Sequence, residues 1–199
     1  MPSHKNPILL NFPDSFTTDR LTIRAYKPGD GQPYFEAMEE SRAALETWLM
    51  PWVAFPNTLE ESETRARRLL AKFILREDLS MVVERKNDGF FVGAIGLHRI
   101  NWSVPVVEIG YWVRASLAGQ GYITEAVKGL VQFAFEQLEA ERIEIRCDPL
   151  NEKSDAVARR AGFTLEGTLR HTYLNASGDG FSDTHVFALL RGGWKTSGT

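Results

Sequence analysis

The chain has 199 residues, a formal charge of −3, 43% hydrophobic and 25% charged residues, which is the make-up of a globular protein with room for one sizeable core. The acidic balance argues against non-specific nucleic-acid binding and against an anionic membrane surface as partner, and no apolar run reaches the ~18 residues that span a bilayer. The first residues, MPSHKNPILLNF, lack the apolar core of a signal peptide, and the single cysteine, Cys147, excludes an internal disulfide framework and fits a reducing, cytoplasmic setting.

Residues 1–18 read as an irregular lead. Residues 19–26, DRLTIRAY, alternate Leu21, Ile23 and Ala25 with Thr22 and Arg24, which predicts a first strand. Lys27-Pro28-Gly29-Asp30-Gly31 breaks it, and a helix with Tyr34, Phe35, Met38 and Leu45 on its inner face follows. In the segment TWLMPWVAFP, Trp48 and Trp52 bracket Pro51. Thr58 with Glu61 three residues on is a capping-box pattern, opening a helix from Leu59 to about Arg76 whose charged face is solvated.

Residues 79–85 and 90–97 are two strands joined through Asp88-Gly89, a hairpin signal. Gly93 and Gly96 in the second suggest a bulge or a close approach of backbone. The fourth strand places Val107, Ile109, Tyr111 and Val113 on one face and Glu108, Gly110 and Trp112 on the other. A turn with Gly119 and Gly121 then leads into a helix carrying Ile123, Ala126, Val127, Leu130, Val131, Ala134 and Leu138 at helical spacing. Residues 142–147 form strand five, parallel to strand four because a helix joins them. A short helix at 151–161 and strands at 163–173 and 183–190 complete the order, with a polar hairpin loop, NASGDGFS, between the last two. The expected fold is α+β: a mostly antiparallel seven-stranded sheet, splayed between strands four and five and flanked by helices. Residues 19–194 make one domain, and 195–199 a tail.

The strand–turn–helix around Gly119 and Gly121 aims free amides and the positive end of a helix at one point, which suits a phosphate or pyrophosphate. A P-loop reading fails because Gly121 is followed by Tyr122 rather than lysine. A dinucleotide fingerprint would need a third glycine at Thr124. A plain chain turn is the remaining alternative.

The segment VRASLAGQGYITEA resembles the acyl-coenzyme-A loop of the GNAT N-acetyltransferase superfamily, whose motif is Gln/Arg-x-x-Gly-x-Gly/Ala. Its first position is Ser116 here. IGYWV before it, DPLNEKSDAVARRAGFTLEGTLR after it, DRLTIRAY near the start and the WLMPW segment resemble the RimJ/RimL branch, the ribosomal-protein N-terminal acetyltransferases. The resemblance covers about residues 18–192. It implies acetyl-CoA as cofactor, with its pyrophosphate on the amides of Ala118, Gly119, Gln120, Gly121 and Tyr122 and with Thr124 contributing a side chain. It implies that Val113 and Arg114 pair with the pantetheine arm, and that Asn151 and Ser154 (the family's Asn-x-x-Ser) face the pantetheine and the sulfur. By the same resemblance Tyr34, Trp48, Trp52 and the loop from Asn175 to Phe181 line the acceptor site, with core packing the other role open to the tryptophans. His98 is a further candidate for the acceptor side, against a plain surface or core histidine.

Acetyl transfer needs a neutral amine, donors for the developing oxyanion, and a proton for the thiolate. A peptide α-amine, with a pKa of ~7.7–8.0, needs far less help than a lysine at ~10.4. Glu108 is the candidate base and an arginine-paired strand carboxylate the alternative. Ser154 is the candidate acid and a helix-start serine bonded to backbone the alternative. A backbone N–H near Val113 is the expected oxyanion donor. Cys147 continues the apolar alternation of strand five and reads as a core thiol rather than a nucleophile. None of the four histidines has a metal-ligand spacing, so no metal is expected. The expectation is an N-acetyltransferase acting by direct attack on a protein or peptide N-terminus, such as that of a ribosomal protein. Acetylation of a small amine and a non-catalytic acyl-CoA-binding module are the alternatives. Dimers are common in the resembled branch.

Overall fold

Alternating burial in the first predicted strand holds to the residue: Leu21, Ile23 and Ala25 are buried, while Thr22 and Arg24 are partly exposed. This is strand β2 (Leu21–Ala25) of a computed structural model that describes residues 6–48, 55–175 and 178–194. Helices α1 (Gly31–Leu45) and α2 (Leu59–Leu75) follow, then strands β3 (Leu79–Arg85), β4 (Phe91–Asn101) and β5 (Val106–Val113) as an antiparallel meander. Helix α3 (Tyr122–Gln137) leads to β6 (Arg142–Cys147), and α4 (Glu152–Arg160) leads to β7 (Thr164–Leu174) and β8 (Phe181–Leu190).

An additional strand, β1 (Ser15–Thr17), lies within the stretch read as an irregular lead and pairs antiparallel with β2. Three residues are too few to display an alternation, and only the neighbouring β2 makes them a strand. The sheet therefore has eight strands, in the order β1-β2-β3-β4-β5-β6-β8-β7. Every pairing is antiparallel except that of β5 with β6. The fold class is as expected, with one strand more.

Two apolar layers hold the sheet. Leu130, Val131 and Ala134 of α3 pack with Leu97, Ile109, Ile143 and Ile145 on one face. Tyr34 and Met38 of α1 and Ala66 of α2 pack with Val82, Ala94 and Trp112 on the other. Thr58 caps α2 by accepting from the Glu61 amide at 3.1 Å, while the Glu61 carboxylate reaches back to the amide of Asn57 at 2.7 Å. The predicted capping box thus closes one residue earlier than its usual partner, still satisfying two donors that the helix start leaves unpaired.

Pairing of β5 with β6 runs from Val106–Arg142 to Ile109–Ile145 and stops there. Strand β5 continues to Val113 along β4, and β6 continues to Cys147 along β8. Beyond Ile109 the two strands diverge, which opens a slot at the end of the sheet where α3 and α4 begin.

Candidate active site

The turn after β5 is built by Gly119 and Gly121, whose φ values of +78° and +81° lie in the left-handed region that glycine adopts without Cβ strain. Gly121 precedes the first turn of α3, and no side chain caps that helix. Amides at helical positions Tyr122, Ile123 and Thr124 have no carbonyl four residues back within the helix. Among the described residues nothing accepts from the amides of Gly119, Gln120 or Gly121 either. Six successive N–H groups therefore border a helix N-terminus, an arrangement with the chemistry to accept an anion such as a diphosphate. The Ala118 amide is not one of them, since it donates to the Ala115 carbonyl at 3.2 Å.

The cradle is braced from two sides. Arg20 donates to the Gln120 carbonyl at 3.2 Å and to Glu125 at 2.6 Å, and its guanidinium lies 4.4 Å from the centre of the Tyr122 ring. Glu40 of α1 accepts from the Ser116 amide at 2.9 Å and pairs with Arg114, while Ser41 accepts from the Ala115 amide at 2.9 Å. Arg114 also extends the β4–β5 ladder, its amide donating to the Val92 carbonyl at 2.8 Å.

In the slot, Asn151 caps α4 by accepting from the Ser154 amide at 3.1 Å. The Tyr111 hydroxyl and Ser154 Oγ are 2.9 Å apart. Burial raises the Tyr111 phenol, so it keeps its proton through the neutral range. Cys147 lies beside this pair, and burial pushes its thiol up to about 11 despite a hydrogen bond with Ser154.

The opposite face of β5 carries charge. Glu108 stands opposite Glu144 in the parallel register and is paired with Arg99 at 3.1 Å and Arg146 at 3.4 Å. Arg146 and Arg142 both hold Glu144, at 2.9 and 2.8 Å, and Arg142 also holds Glu166 at 2.6 Å. Next to this ladder, His98 of β4 pairs its Nδ1 with Asp78 at 2.7 Å. Asp78 also accepts from the Ser80 amide at 3.0 Å and the Ser80 hydroxyl at 2.6 Å.

The predicted residues therefore separate. Gly119, Gln120, Gly121, Tyr122 and Thr124 share the turn and the first turn of α3, Val113 and Arg114 sit at the end of β5, and Asn151 and Ser154 sit at the start of α4. Tyr34 is a core residue, 2% exposed, with edge-on contacts to Tyr26, Phe91 and Trp112. Trp48 is exposed after the end of α1, and Trp52 lies outside the described residues. Sequence reading missed Tyr111 and Asp78: the first reads as one more apolar position of β5, and the second lies twenty residues from the histidine it meets. Among the described residues no cluster of His, Cys, Asp and Glu could hold a metal ion, and no helix is long and apolar enough to cross a membrane.

A mixed sheet parted beside a parallel pair, with a run of unpaired main-chain amides at the mouth of the gap, can take a diphosphate-bearing carrier along a strand edge. Residues 20–164 match the family described as the acetyltransferase (GNAT) domain. The chain is 31% identical over 180 residues to "Putative ribosomal N-acetyltransferase YdaF" of Bacillus subtilis (strain 168), covering 89% of this chain and 94% of the relative. It is 28% identical over 176 residues to the ribosomal-protein-serine acetyltransferase of Escherichia coli (strain K12), covering 87% and 94%. Among solved structures, RimL, a ribosomal L7/L12 α-N-protein acetyltransferase in complex with coenzyme A, superimposes with a TM-score of 0.80 at 22% identity, covering 89% and 97%. The chain belongs to the GNAT family of acetyltransferases, as the RimJ/RimL-like resemblance implied.

Proposed function

We propose that this acetyltransferase moves the acetyl group of acetyl-CoA to the α-amine at the N-terminus of a protein or peptide, of the kind carried by ribosomal proteins. The observation that carries the reading is the continuity of cradle and slot along one strand. The free amides of residues 119–124 lie at the mouth of the gap that begins after Ile109 and Ile145. Acetyl-CoA, when bound, supplies an activated acyl group on a good leaving group. The amides of Gly119 through Thr124 hold its diphosphate, and the edge of β5 beyond Ile109 offers backbone groups to its amide-bearing arm. Tyr111 and Ser154 meet on the α4 side of the slot, where their hydroxyls serve as the proton source for a departing thiolate.

An α-amine acceptor suits this site chemically. At a pKa of ~7.7–8.0 a useful fraction is neutral near pH 7.5, so a base of ordinary strength is enough. The names of the relatives favour the same class. An N-terminus of that class is met in the cytoplasm. The test is coenzyme-A thiol release across a panel of N-terminal peptides and small amines. Saturable release with peptides is expected. Saturation with small amines alone would remove the acceptor, and binding of coenzyme A without release over the whole panel would leave only a binding module.

A further inference from the structure

We infer that His98, held by Asp78, is the catalytic base that takes the proton of the attacking amine. The inference rests on the acetyltransfer reading above and deepens it. Its basis is the placement of one imidazole. His98 Nδ1 meets the Asp78 carboxylate at 2.7 Å, so in the neutral ring Nδ1 carries the hydrogen and Nε2 carries the lone pair. Asp78 is itself fixed by two donors from Ser80, which leaves it little freedom to leave the ring. This is the orienting logic of a carboxylate–imidazole pair: the acid selects the tautomer and fixes the ring.

The free nitrogen lies where the chemistry needs it. The ring is laid over two glycines of adjacent strands, Gly96 of β4 and Gly110 of β5. A Cβ on Gly96 would come within 3.1 Å of Nε2, and one on Gly110 within 3.0 Å. Any side chain at either position would push the ring off the sheet. Gly110 is also the first residue of β5 past the last pair with β6, so Nε2 stands at the opening of the slot. It occupies the face of β5 opposite Tyr111 and Ser154. An amine approaching from the helix α1–α2 face would meet a proton acceptor there, and the thiolate would leave toward hydroxyls on the other face. In that step the N–C bond forms, the C–S bond breaks, and the amine proton passes to Nε2. The thiolate takes a proton from the Tyr111–Ser154 pair. The imidazolium returns its proton through solvent and the hydroxyl pair is replenished, so the protein ends unchanged.

Glu108 is the competing base on the same face, but its Oε2 is already engaged by Arg99 at 3.1 Å and Arg146 at 3.4 Å. The charged groups facing the imidazole are Asp78 from the α2–β3 turn, Glu108 from β5, Arg99 beside it in β4 and Arg146 of β6 through Glu108. Lys72 of α2 acts through Asp78.

Three measurements test the inference. In ligand-free protein, nitrogen NMR of the neutral His98 ring should report hydrogen on Nδ1, and Asp78→Asn should disturb that tautomer. An Nε2–H ring in the parent would overturn the assignment. His98→Asn keeps a donor near Asp78 but deletes the base, so kcat should fall about a hundredfold and the acidic limb of the pH–rate profile should vanish. Coenzyme-A affinity, measured by calorimetry, should stay within about threefold as a check that the fold is intact. His98→Gln is the second variant, with the same expectation. Full turnover with the acidic limb retained in both variants would overturn the base alone. No thiol release by the parent over the amine panel would overturn the acetyltransfer reading, and this inference with it.

Discussion

Tyr111 of β5 and Ser154 of α4, 43 residues apart in sequence, bring their hydroxyls to 2.9 Å across the gap where β5 and β6 part. Each is fixed by its own element. The Asn151 cap orients the first turn of α4, and the Tyr111 ring is packed into the core beside Cys147. If the pair protonates the thiolate, Tyr111→Phe and Ser154→Ala should each lower kcat by about a hundredfold with acetyl-CoA affinity nearly unchanged. The double variant should fall little further than the worse single, because the two act as one network. Steady-state kinetics on the four proteins checks this, and additive losses would separate the roles.

Gly121 tests the cradle. Its φ of +81° strains any residue with a Cβ, although only Arg20 Nη2, at 3.5 Å, lies near the position. Gly121→Ala should therefore cost about 1 kcal/mol in backbone strain and lower Tm by about 2–4 °C. If the turn takes the diphosphate, the added Cβ also crowds it there, so the KM for acetyl-CoA should rise severalfold while KM for the peptide holds. Thermal melts and paired KM measurements decide, and an unmoved KM would place the diphosphate elsewhere.

Glu40 joins α1 to the loop 76 residues away. Burial pushes its carboxyl up, but hydrogen bonds from Ser116 and Arg114 outweigh that and hold it at about 2. The folded value lies below the unfolded one of 4.5, so the carboxylate stabilises the fold fully above pH 4.5 and this contribution is lost as pH falls through about 2. Glu40→Gln should lower the urea midpoint at neutral pH, and the gap to the parent should close in acid. Amide exchange at Ala115 and Ser116 should quicken in the same variant.

Cys147 gives a negative control. A buried thiol pushed up to about 11 stays protonated near neutrality and is a poor nucleophile. Cys147→Ala should keep kcat within about threefold, and iodoacetamide should react slowly with the parent. A loss of several hundredfold in turnover would demand a covalent route.

Local periodicity decided most of the fold. Leu21, Ile23 and Ala25 announce β2, and Ile123 to Leu138 announce α3, because a period of two or 3.6 is a property of neighbours in sequence. The two loop glycines announce the cradle for the same reason, since left-handed φ is a local demand. The short β1 escaped because its strand character comes from its partner.

The amino-acid sequence alone determined the order of elements, the two-glycine turn and the asparagine–serine helix start of an acetyltransferase. Tertiary structure decided which side chains meet. It put Asp78 behind His98, Tyr111 against Ser154, and Tyr34 into the core. It also gave Glu108 two arginine partners. The polar contacts among these join residues from 9 to 43 positions apart, brought together by sheet register and helix packing. No periodic pattern records them, because the free energy that fixes them comes from burying the whole sheet rather than from any one segment.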